Sequence, residues 1–134
     1  MSKKIVVLTE DAPAPMPVFS QGIKKGGFFQ VAGQGPMDPV TNQYVGDGDV
    51  RIQTRRTLEN VKAILAAGGS SVEDVIMFRV YLTTRDDFGA MNEVYGEFLR
   101  ENVPSGALPS RTTAIVGLPN DVMLVEIDAL AATT

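Results

Sequence analysis

Val122-Met123-Leu124-Val125-Glu126-Ile127-Asp128-Ala129-Leu130 is the stretch whose reading decides the architecture. As a strand, it places Met123, Val125, Ile127 and Ala129 on one wholly apolar side. Leu124, Glu126, Asp128 and Leu130 fall on the other. The first side belongs on a core. The second mixes large apolar groups with carboxylates, which suits a subunit interface better than a solvated surface. A symmetric homo-oligomer is therefore expected, with its sites where subunits meet. The run before it, Arg111-Thr112-Thr113-Ala114-Ile115-Val116-Gly117, is also strand-like and opens on a charge.

The rest of the chain supplies what these strands pack against. Ile5 to Leu8 reads as a first strand. Asp11-Ala12-Pro13-Ala14-Pro15-Met16-Pro17 must be extended, and reads as a rigid connector, with a pocket wall as the competing reading. Phe19 to Lys24 and Phe28 to Ala32 form a predicted hairpin around Lys25-Gly26-Gly27. Gly33-Gln34-Gly35-Pro36 breaks the second of these strands. Asp49 is the expected cap of a helix reaching about Ala67, with Val50, Leu58, Val61, Ile64 and Leu65 on one face. Gly68-Gly69 stops it. Val75 to Leu82 is the next strand. Asp86-Asp87 open a second helix with Phe88, Met91, Val94, Tyr95 and Phe98 as its buried stripe. The order strand-strand-strand-helix-strand-helix-strand-strand points to an α+β sheet in one domain spanning residues 1–134, with two helices on one face. The other face needs water or a partner.

Composition removes many chemistries. The chain has 134 residues, is 44% hydrophobic and 21% charged, and can build a sizeable core. It has no His and no Cys, so Ser-His-Asp catalysis, a thiol nucleophile and a zinc–thiolate site are all excluded. No cofactor or metal is expected. The net charge of −4 argues against nonspecific nucleic-acid binding, although Arg51, Arg55, Arg56 and Lys62 cluster. No secretory leader or membrane-spanning run is visible, and a cytoplasmic protein is expected.

Charges inside strand-like runs are expensive to bury unless paired or used. Arg111 can hold a substrate carboxylate through two parallel bonds, and Thr113 shares its strand face. The competing reading is a surface salt bridge at a strand end. Glu126 can orient or deprotonate water, and its competing reading is an interfacial ion pair, for instance with Arg79. Phe19, Asn92, Tyr81 and Tyr95 have ordinary packing readings, and the charges of the first helix read as a solvated face. Gly33-Gln34-Gly35 and Gly46-Asp47-Gly48-Asp49 complete no phosphate-binding motif; turn and cap roles suit them.

Several segments, in order and spacing, carry a resemblance over nearly the whole chain. They are Phe19-Ser20-Gln21-Gly22, Ala32-Gly33-Gln34-Gly35-Pro36, Gln53-Thr54-Arg55 with Leu58-Glu59-Asn60-Val61, Met91-Asn92-Glu93-Val94-Tyr95, Pro109-Ser110-Arg111 and Val125-Glu126-Ile127-Asp128. In these the sequence resembles the RidA/YjgF family of imine deaminases, formerly called L-PSP endoribonucleases. The resemblance implies a chorismate-mutase-like fold with a mixed six-stranded sheet and a homotrimer with three clefts between subunits. It implies that Arg111 binds a substrate carboxylate and Glu126 positions water. Phe19 would line the cleft, Asn92 would help organise it, and Gly33 would lie near the ligand. The implied activity is hydrolysis of 2-imino or enamine acids, such as 2-iminopropanoate and 2-iminobutanoate, to 2-oxo acids and ammonia. Alternatives are an enamine deaminase of one pathway, of the 2-aminomuconate type, and a chaperone-like trimer that binds 2-oxo acids without turnover. Ribonuclease activity is the weaker rival for an acidic chain without His. Three departures bear on substrate preference: Phe19 where the family often has Tyr, Thr113 where it often has Cys, and Ala32 with Gly35 in place of Ser and Ile.

Overall fold

The computed structural model describes residues 3–133. Six strands form one sheet: β1 (Ile5–Val7), β2 (Gly22–Lys25), β3 (Phe28–Gln34), β4 (Val75–Leu82), β5 (Ser110–Ile115) and β6 (Val125–Ala132). Their spatial order is β1-β2-β3-β6-β4-β5. The last strand thus inserts between the third and fourth. Only β4 and β5 run parallel, and the helix between them supplies the crossover that parallel neighbours need. The mixed six-stranded α+β sheet expected from the sequence is the one found.

The two helices are α1 (Val50–Ala67) and α2 (Phe88–Asn102). They lie on one face, over a core of Phe29, Val31, Phe78, Val80, Leu82, Val125, Ile127 and Ala129. Asp49 caps α1 as expected, its carboxylate accepting from the Arg51 and Ile52 N–H groups. The two glycines after α1 divide the work. Gly69 takes the left-handed conformation, with φ +81°, that ends the helix. Gly68 has no side chain because the Phe29 ring occupies the place where its Cβ would stand. The β2–β3 turn has positive φ at both Gly26 and Gly27, the backbone that a two-residue hairpin requires.

Several boundaries differ from expectation. β2 begins at Gly22, and Phe19 lies in the turn before it. β3 continues to Gln34 through a bulge that follows Val31, so Gly33 lies within the strand rather than past its end. β6 begins at Val125, and Met123 belongs to the preceding loop. α2 does begin directly after Asp86-Asp87, and the turn they form is capped by Thr84, whose hydroxyl accepts from Asp86 N–H. The charges of α1 are more engaged than a solvated face. Arg51 pairs with Glu93 at 2.7 Å and Arg55 with Glu101 at 2.8 Å, joining α1 to α2. Among the described residues, no helix is long and apolar enough to cross a membrane.

Candidate active site

Glu126 leaves β6 on the face away from the helices, beside Tyr81 of β4. The bulge in β3 brings Gly33 against it so closely that a Cβ on Gly33 would collide with the carboxylate. The absence of a side chain at Gly33 is what makes room for Glu126. Burial pushes the Glu126 carboxyl above the usual carboxylate range, and the negative charge of Asp128 adds to the effect. A carboxylate with a raised pKa is a better proton acceptor than an exposed one.

Arg79 does not pair with Glu126. Its Nε donates to Asp128 Oδ1 at 2.8 Å, and the Tyr81 hydroxyl donates to Asp128 Oδ2 at 3.3 Å. The open face of the sheet therefore already satisfies Asp128. Among the described residues, the side chain of Glu126 makes no ion pair.

A cavity of ≈ 460 Å³ opens at Glu126, walled by Phe19, Gly33, Gly35, Met37 and Met123 among others. Three side-chain amides hold its walls. Gln21, almost wholly buried, accepts from Thr9 N–H and donates to the carbonyls of Thr9, Ala12 and Pro13. Asn60 donates to the carbonyls of Gly35 and Met37. Gln53 donates to the carbonyls of Gly46 and Val122 and accepts from Leu124 N–H. Each amide closes a loop that no strand or helix holds. These three residues were not singled out from sequence, yet a signal existed. Gln53 and Asn60 sit on the same helical stripe as Val50, Leu58, Val61 and Ile64, where a polar group must have a buried partner.

Arg111 lies elsewhere. On β5 it stands beside Phe78, so it faces the helices, as does Thr113 beside Val80. Its Nη1 donates to Asn92 Oδ1 at 2.8 Å. Its guanidinium lies 4.7 Å from the Tyr95 ring centroid and 5.6 Å from that of Phe88. Tyr95 in turn packs edge-on against Phe78. Among the described residues Arg111 forms no ion pair. The chain thus holds these residues in two separate groups: Phe19, Gly33 and Glu126 at one cavity, and Arg111, Asn92 and Thr113 at the sheet edge formed by β5. It does not bring them together. Among the described residues, no cluster of three His, Cys, Asp or Glu side chains is placed to hold a metal ion.

The fold and its apolar cavity with one carboxylate define a small α+β protein of the kind built to receive small molecules. The chain belongs to the family described as Endoribonuclease L-PSP, the RidA/YjgF family, whose pattern matches residues 9–133. A RutC family protein of Pyrococcus horikoshii is 48% identical over 128 residues, 96% of this chain and 97% of that one. TdcF of Escherichia coli, named as a reactive intermediate deaminase, is 40% identical over 129 residues, 96% of each chain. The crystal structure of TdcF with bound serine superposes with a TM-score of 0.89 at 35% identity, covering 97% of this chain and 99% of that one. The Escherichia coli YjgF gene product superposes equally well, with a TM-score of 0.89 at 32% identity and coverage of 97% and 99%.

Proposed function

We propose that the protein hydrolyses 2-imino acids, or their enamine tautomers, to 2-oxo acids and ammonia, in clefts where Arg111 of one copy meets Glu126 of another. The observation that carries this reading is the state of Arg111. Its guanidinium is oriented by one neutral amide and two aromatic rings, yet has no carboxylate partner among the described residues. A fork held in place but left uncompensated suits an incoming carboxylate. The likeness to TdcF, a reactive intermediate deaminase by name, supports the same class of reaction.

The chemistry then runs as follows. Arg111 binds the substrate carboxylate, which fixes the imine carbon near Glu126. Glu126 takes a proton from water as the water oxygen bonds to that carbon. The C=N electron pair moves to nitrogen, which takes that proton from Glu126 to give a carbinolamine. Glu126 then takes the hydroxyl proton and passes it to nitrogen, so the C–N bond breaks as the C=O bond forms, releasing ammonia and a 2-oxo acid. Phe19 packs against the substrate side chain. Asn92 holds Arg111, and Thr113 borders the same strand face.

An oligomer, a trimer by family resemblance, is part of the proposal. Exposed apolar residues suit the contact: Phe88, Leu108 and Ile115 on the side of the chain that carries Arg111, and Val18 next to the cavity mouth.

The test generates 2-iminopropanoate and 2-iminobutanoate in place, with an amino-acid oxidase or threonine dehydratase, and traps surviving imine with semicarbazide. The native protein should lower the trapped imine, and Arg111→Ala should not. Full activity in Arg111→Ala removes the carboxylate clamp. Binding of 2-oxo acids with no turnover by the native protein replaces the deaminase reading with a binding one.

A further inference from the structure

We propose that the cavity behind Glu126 selects 2-imino acids with long apolar side chains, of leucine or phenylalanine size, over 2-iminopropanoate. This rests on the reading above, in which the imine carbon sits at Glu126.

The cavity walls are mainly apolar, and in the single chain the cavity measures ≈ 460 Å³, far more than a methyl side chain fills. Among the described residues, Glu126 is the one charged residue lining it. The two amides that border it are already engaged: Gln21 with the Thr9, Ala12 and Pro13 carbonyls, and Gln34 with those of Ala32 and Gly33. Their N–H groups are thus committed to backbone carbonyls, which leaves Tyr44 and the Gln34 side-chain oxygen as the other polar groups at the wall. The rest of the lining is apolar, chiefly Met16, Met37, Met123 and the Phe19 ring, with Ala32 and Gly35 contributing almost no bulk. Methionine side chains adapt to apolar ligands of differing shape. Water against such walls is poorly held, and an apolar group that displaces it is favoured.

Gly35 sets the size. A Cβ there would come within 2.7 Å of Met123 Cε, so a side chain at position 35 and Met123 compete for the same space. The backbone at Gly35 does not require positive φ, so its lack of a side chain is a matter of volume and not of conformation. Phe19, with a ring but no hydroxyl, keeps the same wall apolar.

The experiment compares kcat/KM for imines released from leucine, phenylalanine and alanine by an amino-acid oxidase. The leucine- and phenylalanine-derived imines should be preferred by about tenfold or more, the discrimination that even one buried methylene gives. Gly35→Val should shrink that ratio severalfold. Calorimetric titration of the native protein with 4-methyl-2-oxopentanoate and with pyruvate reads the same pocket without turnover, and the larger acid should bind about tenfold tighter. Turnover with equal or reversed preference overturns the selectivity and leaves the deaminase reading standing. Tighter binding of the larger oxo acid, with no imine turned over, supports the pocket and overturns the deaminase reading. Neither turnover nor a binding preference overturns both.

Discussion

Arg111 and Glu126 project from opposite faces of one sheet. Arg111 on β5 stands beside Phe78, under the helices, whereas Glu126 on β6 stands beside Tyr81 on the uncovered face. β4 separates their strands. No side-chain rotation within one chain brings a guanidinium and a carboxylate so placed around one small molecule. A second copy can, by laying its β5 edge across the cavity mouth.

That relationship predicts complementation between two dead variants. Arg111→Ala and Glu126→Gln homo-oligomers should each be inactive. Unfolded together in equal amounts and refolded, they should recover about a quarter of the native sites, since each cleft draws its two residues independently from two chains. No recovery in oligomers shown to be mixed means that the two residues do not share a cleft. Sedimentation of the native protein as a monomer at micromolar concentration would remove the shared site altogether.

Glu126→Gln should also separate function from stability. As a general base, Glu126 should contribute about 10²- to 10⁴-fold to the rate. Its pKa is raised in the folded state, so its contribution to stability is full below the unfolded carboxylate pKa and is lost as pH rises through the folded value. Ionised Glu126 is therefore a destabilising group near neutrality. Glu126→Gln should melt slightly higher than the native protein at pH 7, and the difference should vanish near pH 3, below the ordinary Glu value of about 4.3. In the native protein, the acidic limb of kcat/KM should lie above that same value. A lower melting temperature for the variant at pH 7 would contradict a desolvated carboxylate.

The aromatic support of Arg111 gives a graded series. Tyr95 is buried, its hydroxyl has no hydrogen-bond partner, and burial pushes its pKa up to about 12. Its ring, and not its hydroxyl, holds the guanidinium. Tyr95→Phe should leave kinetics unchanged. Phe88→Leu, at an exposed position, should raise KM by about three- to tenfold with little change in kcat, the effect of losing a cation–π contact of ~1 kcal/mol. A kcat loss in Tyr95→Phe would assign the hydroxyl a part in the chemistry.

Gly68→Ala tests a purely structural contact far from either group of site residues. At a position with negative φ such as Gly68, alanine is conformationally acceptable and restricts the unfolded chain more than glycine does. Here its methyl would strike the Phe29 ring, which is fully buried beneath α1. Overpacking of this kind costs about 1–3 kcal/mol, measurable as a lower denaturation midpoint. Gly69→Ala should be destabilising for a different reason, since its φ of +81° is strained for any side chain. An unchanged midpoint for Gly68→Ala means that the Phe29 ring can yield.

The sequence by itself determined the elements and the cast of residues. Alternation in Val75–Leu82 marks a strand, the stripe of Val50, Leu58, Val61 and Ile64 marks a helix, and Asp49 and Gly69 mark its ends. Each is a local rule, satisfied by a segment and its own neighbours. Charges lodged in apolar runs likewise drew attention to Arg111 and Glu126. What only the tertiary structure decided is everything that depends on residues distant in the chain. β6 inserts between β3 and β4, which sets Glu126 against Gly33 and beside Tyr81. Asp128 takes Arg79 and leaves Glu126 without an ion pair. Met123 leaves the expected strand for the cavity wall, because Gln53 claims the backbone on either side of it at Val122 and Leu124. Strand register and buried amide partners are settled when many segments pack at once, and periodicity within one segment carries no record of which neighbour it will meet.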